Sequence, residues 1–156
     1  MKTLLDGLWA EFVQPLLQRP KRIQFAALCH RTEGSGQEVL LITSRDSGRW
    51  IIPKGWPIAG TTSSETALQE AWEEAGVCEG DAEADSVGSY TYDKQHDTGW
   101  STPVKTIVYP IAVTEMSDVF PEVNERERKW VSLSEAANLV QEPELKQLLT
   151  EFEDTP

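Results

Sequence analysis

The stretch from Gly55 to Val77 constrains this chain more than any other, because it sets where a helix begins, where it ends and which faces it presents. Thr62-Ser-Ser-Glu65 has the spacing of a capping box, in which an N-cap hydroxyl and a carboxylate three residues on satisfy each other's backbone donors. Gly76 stands where an ending helix commonly needs positive φ, which glycine adopts without a Cβ clash. These punctuation marks predict a helix over residues 63 to 75. Leu68, Ala71, Trp72 and Ala75 recur at helical spacing and would dock on a core. Glu70, Glu73 and Glu74 fall together on another face, held outward. Like charges at i,i+4 weaken a helix by roughly 0.2–0.5 kcal/mol per pair. A hard divalent cation such as Mg²⁺, which takes carboxylate oxygens, would reverse that penalty.

A glutamate-rich face alone is more often merely solvated. The frame around this one changes the reading. Val39-Leu-Leu-Ile-Thr43 predicts a buried strand, and Trp50-Ile-Ile52 a short strand delivering Pro53-Lys54-Gly55. The run from Gly55 to Val77 resembles the box of the Nudix family, with Gly55, Glu70, Glu73, Glu74, Gly76 and Val77 in register. Two positions depart from the family pattern together. Thr61 stands in place of a glutamate and Gln69 in place of an arginine, which in the family form a bracing ion pair. Losing both leaves no stranded charge, and a neutral hydrogen bond between Thr61 and Gln69 is the expected substitute.

Around the box, Arg22 to Cys29 predicts a strand, residues 32 to 37 a turn, and residues 85 to 92 and 104 to 113 two strands of a long hairpin. An acidic loop spans 115 to 125, and a short strand covers residues 128 to 131. Ser132 and Glu135 cap a helix through Val140, and Pro143 opens a last one. Leu4, Leu5, Leu8, Trp9, Phe12, Val13, Leu16 and Leu17 form the stripe of an N-terminal amphipathic helix within residues 1 to 19. Helices before, between and after the strands predict a sheet covered on both faces. The resemblance implies the same: a single α/β domain over residues 1–156, the Nudix α/β/α sandwich with a mixed sheet. Ser44-Arg45, Arg49-Trp50-Ile-Ile-Pro53-Lys54-Gly55 and Arg128-Lys-Trp130-Val131 look like the diphosphoinositol and diadenosine polyphosphate phosphohydrolase branch.

The net charge of −12 argues against nucleic acid as a partner. Its distribution is uneven: residues 1–60 hold eight Lys/Arg against five Asp/Glu, and the remainder six against twenty-one. Arg45, Arg49 and Lys54 directly precede the box and suit phosphate oxygens. No apolar run approaches the ~20 residues of a membrane span. Asp6 and Glu11 interrupt any signal-like segment, and Cys29 and Cys78 read as free core thiols of a cytoplasmic protein.

The resemblance implies hydrolysis of a phosphoanhydride bond in a nucleoside or inositol polyphosphate, by water attack on phosphorus. It implies Mg²⁺, with Mn²⁺ as a substitute, bound by the Gly55 carbonyl and by Glu70, Glu73 and Glu74. One of these glutamates, or Glu122 or Glu125 from the acidic loop, would act as the base. Arg45, Arg49 and Lys54 would hold phosphates, and Trp56 or Trp100 could stack on a base. His30 and His96 lack any nucleophile or metal partner in sequence. The partner expected is a small-molecule polyphosphate, with no nucleic acid and no membrane, for a monomer or homodimer. The competing class is a Nudix-fold binding module that senses a nucleotide or a partner protein without turnover.

Overall fold

Strand β1 (Arg22–Glu33) turns at Gly34, whose φ is 60°, into the antiparallel β2 (Gly36–Thr43). The computed structural model describes residues 22–153, so the helix expected within residues 1 to 19 lies outside the described residues. Along β1, Ala26 and Leu28 face one core cluster while Ala27 and Cys29 face another. Along β2, Val39 and Leu41 oppose Leu40 and Ile42 in the same way. A strand buried on both faces reads as an unbroken apolar run, which is why residues 39 to 42 show no polar alternation.

The remaining strands are β3 (Trp50–Ile51), β4 (Lys54–Gly55), β5 (Val77–Ala82), β6 (Gly88–Gln95), β7 (Ser101–Met116) and β8 (Arg128–Ser132). The sheet runs β3-β2-β1-β7-β5, with β4 paired to β1, β6 to β7 and β8 to β2. The β1–β7 pair is parallel and the other pairs are antiparallel, so the sheet is mixed as expected. Helix α1 (Ser63–Ala75) packs on one face; α2 (Leu133–Leu139) and α3 (Pro143–Glu153) contribute Leu133, Ala136, Leu145 and Leu149 to the other core. That arrangement is the α/β/α sandwich. No helix among the described residues is long and apolar enough to cross a membrane.

The helix limits follow from local chemistry. Thr62 accepts from the Glu65 N–H at 3.2 Å, Glu65 accepts from the Thr62 N–H at 3.0 Å, and Gly76 ends the helix at φ 78°. Ser132 caps α2 in the same manner, at 3.1 Å from the Glu135 N–H.

Three features differ from the sequence reading. Helix α1 buries Thr66, Ala67, Ala71, Glu74 and Ala75, while Leu68 and Trp72 are only half-buried. The alanine column lets the helix lie close to the sheet, and the taller side chains turn to its flank. The carboxylates are correspondingly turned inward rather than outward. Strand β5 was not anticipated; it lacks clean alternation and meets β7 through register shifts around Glu79. Cys78, on this edge strand, is exposed, whereas Cys29 is buried as expected.

Candidate active site

The site is assembled where β4 passes beneath the last turns of α1. Pairing of β4 with β1 sets Gly55 opposite Phe25 and fixes the backbone. A Cβ on Gly55 would overlap the Glu70 carboxylate, so this close approach requires glycine. One turn further, Glu74 is buried, and its two oxygens are both engaged. Oε1 accepts from the Lys54 N–H at 3.2 Å, and Oε2 lies 3.4 Å from the Arg126 guanidinium. Arg126 also reaches Glu122 at 3.0 Å and donates to the Thr43 carbonyl at 3.0 Å. The Glu122 N–H donates to the Glu73 carbonyl at 3.0 Å, which ties the acidic loop to the helix. A cleft of about 440 Å³ opens here, walled by Lys54, Gly55, Glu70, Glu74, Glu122 and Arg126, with Arg45, Trp56 and Tyr92 at its sides.

Burial dominates the electrostatics. It pushes Glu70 up to about 7, aided by the neighbouring charges of Glu74, Glu73 and Glu122. Burial also raises Glu74 to about 7, against the opposing pull of Arg126 and Lys54. Lys54 is brought down to about 8 by burial, and its Nζ sits 4.8 Å from the centre of the Tyr92 ring. Two carboxylates held near neutrality beside a half-depleted lysine would gain from a further cation.

The fit to a divalent metal is therefore good in donor type and partial in number. Gly55, Glu70 and Glu74 supply hard oxygens in one place, and Glu122 faces them. Yet no group of three or more His, Cys, Asp or Glu side chains among the described residues is gathered closely enough to hold an ion. Glu73 is the reason on α1: its Oε1 accepts from Gln69 Nε2 at 3.0 Å, and it lines a different groove, with Leu68 and Trp72.

Other expected residues separate similarly. Arg45 lies in the cleft, 3.4 Å from both Glu122 and Glu125, and Glu125 is half-exposed beyond it. Arg49 turns away and pairs with Glu142 in the neighbouring cavity. Trp56 stands on the rim, with Arg22 5.8 Å over its ring. Trp100 stacks on His96 at 4.6 Å, outside the cleft walls, and His30 packs against Phe152.

Sequence reasoning missed Arg126, Tyr92 and Gln24. A signal existed for the first, since Arg126 follows Glu122 by four residues inside an acidic run. Tyr92 donates to Gln24 at 2.6 Å, a pairing across 68 residues that no local pattern announces.

The expected hydrogen bond between Thr61 and Gln69 is not formed. Thr61 instead donates to the Ile58 carbonyl at 2.8 Å and meets Thr66 Oγ1 at 2.7 Å, while Gln69 turns to Glu73. The loop is thus tied to the first turn of α1 rather than to its middle. Thr61→Val and Gln69→Ala are expected to be additive in stability within about 0.5 kcal/mol. A double-mutant cycle from denaturant unfolding measures this, and a larger coupling would show that the two positions act together.

The family model described as the NUDIX domain matches residues 20–152. The chain belongs to the NUDIX family. Among its relatives, Nudix hydrolase 21, chloroplastic, of Arabidopsis thaliana is 36% identical over 126 residues, covering 79% of this chain and 61% of the relative. Diphosphoinositol polyphosphate phosphohydrolase 3-beta of Homo sapiens is 29% identical over 118 residues, covering 74% and 67%. The chain thus spans 61% of the first relative's length and 67% of the second's. Among solved structures, the C. elegans Ap4A hydrolase superposes with a TM-score of 0.65 at 18% identity, over 86% of this chain and 97% of that one. The NUDIX domain of Shewanella oneidensis NrtR complexed with ADP ribose gives 0.63 at 16%, over 97% and 99%. At these identities the structural likeness establishes the Nudix fold.

Proposed function

We propose that this Nudix protein is a metal-dependent hydrolase of a phosphoanhydride bond in a nucleoside or inositol polyphosphate. The observation that carries the reading is Glu70 and Glu74, one helical turn apart, converging on the Gly55 backbone in a cleft that also holds Lys54 and Arg45. Mg²⁺ or Mn²⁺ bound by the Gly55 carbonyl, Glu70 and Glu74 would supply charge neutralisation at the attacked phosphate. Glu73 joins that set only by giving up its hydrogen bond to Gln69. Water forms the new P–O bond, the bridging oxygen leaves, and the water's proton passes to a carboxylate. Glu70 is placed for that role, being half-buried and held near neutrality, whereas Glu122 and Glu125 are already engaged by Arg126 and Arg45. Lys54 and Arg45 hold the phosphates that are not attacked, and Trp56 borders the entrance.

The balance of charge favours small anionic substrates and disfavours nucleic acid, since the whole chain carries −12. A cytoplasmic setting for a monomer or homodimer belongs to the same reading, supported by the free thiols of Cys29 and Cys78.

Arg126 is the one observation that favours a binding module, because a protein cation already partners Glu74 and Glu122. Turnover of a polyphosphate panel that is abolished by a chelator and restored by Mg²⁺ decides for the enzyme. Its absence with every substrate decides for the module.

Lys54 provides a separate test. Its burial lowers the pKa to about 8, so its charge is present below that pH and lost above it. The pH profile of kcat/KM is expected to fall on the alkaline side near 8, with the limb moving upward in Lys54→Arg. An unchanged limb in that variant would remove Lys54 from phosphate binding.

A further inference from the structure

We propose that the cavity beside the cleft is a subsite for a ring bearing free hydroxyls, a ribose or a hexose, and that Glu142 is the residue that selects it. This rests on the hydrolase reading and narrows its substrate. The cavity, of about 420 Å³, shares Ser44, Asp46, Lys54, Tyr92 and Lys94 with the cleft, so a phosphate chain in one leads directly into the other. Glu142 is 8% exposed and lines the cavity just before α3. Its Oε1 is taken by Arg49, while its Oε2 is buried without a hydrogen-bond partner.

A buried carboxylate oxygen left unmatched is costly, and an ionised carboxylate only accepts. Whatever satisfies it must therefore bring an O–H or N–H donor. The rest of the wall chooses between these. Apart from Tyr92 and Pro143 every lining residue is polar or charged, and the Tyr92 ring already faces Lys54. A planar base would find little apolar surface to stack on. A polyol, whose every hydroxyl both donates and accepts, finds carboxylates and amines alternating around it.

The charges exclude a third occupant. Arg49, Lys54 and Lys94 are balanced by Asp46, Asp93 and Glu142. A cyclitol phosphorylated at every hydroxyl would bring no donor to Glu142 and would set its own anions against three carboxylates. Hence a substrate with free vicinal hydroxyls is favoured over a fully phosphorylated diphosphoinositol.

The test compares kcat/KM for diadenosine tetraphosphate with that for its 2′,3′-dideoxy analogue, and for UDP-glucose with its dideoxy-hexose analogue. The native protein should prefer the intact ring by roughly tenfold or more in one of the two pairs, which names the ring. Glu142→Gln keeps an oxygen for Arg49 but replaces the acceptor by a donor, and should bring that preference close to one. Equal handling of both pairs by the native protein would overturn the subsite, and needs no folded variant. Faster turnover of a fully phosphorylated diphosphoinositol than of either nucleotide would overturn it as well. If no compound is hydrolysed, the hydrolase reading has failed on its own. Calorimetric binding of ADP-ribose against its 2′,3′-dideoxy form then decides the subsite by the same criterion.

Discussion

Replacing Glu74 by glutamine is expected to lower kcat by at least ~10²-fold and to remove the response to Mg²⁺. The substitution keeps the shape of a buried side chain and its acceptor for the Lys54 N–H, but deletes the charge that faces Arg126. Its effect on stability separates function from scaffolding. In the fold Glu74 is raised from 4.5 to about 7, so between those values the native state holds a proton that the unfolded chain has released. A native state that binds more protons loses stability as pH rises, and this loss is complete above the folded value. Glutamine has no such penalty. The variant should match the native protein near pH 4 and equal or exceed it at pH 8 without metal, as read from melting curves. Activity within threefold of native would sink the role of Glu74, and a large drop in melting temperature would assign it to structure instead.

Gly76→Ala is expected to destabilise the protein by roughly 2–4 kcal/mol and to lower the melting temperature by about 5–15 °C. Two independent causes add. The residue sits at φ 78°, where an L side chain is strained. Its Cβ would also lie 2.6 Å from Arg128 Nη1, Phe120 Cδ1 and the Ser117 carbonyl. None of these can easily retreat. Arg128 Nη1 donates to both the Ala75 and Ser117 carbonyls, at 2.9 and 2.8 Å, and the Ser117 N–H donates to the Gly76 carbonyl at 2.8 Å. Gly60→Ala is the control, since its φ is 83° but nothing lies within 4 Å of the added carbon. The difference between the two variants isolates packing from backbone strain. Equal losses would mean that the junction at Gly76 yields, and that the loop carrying Glu122 is not anchored there.

Helix α1 was legible to the residue because caps are local. Thr62, Glu65 and Gly76 act on backbone groups within five residues of themselves, so their effect is written in adjacent letters. The buried strand at 39–43 was legible for a related reason, as a run too apolar to leave in water. Glu70, Glu74 and Gly55 were likewise readable, since helical spacing and a strand end place them. Which way α1 rolled was not: Leu68 and Trp72 have the greater apolar area, yet Ala67, Ala71 and Ala75 meet the sheet because only a flat face packs closely. Nor could adjacent letters show that Arg49 would turn to Glu142, 93 residues away, or that Arg126 would stand between Glu74 and Glu122. Charge pairing acts through space, and the distances are set by strand register and helix docking. The sequence by itself determined the elements and the carboxylates of the site; the tertiary structure alone decided which cations those carboxylates meet.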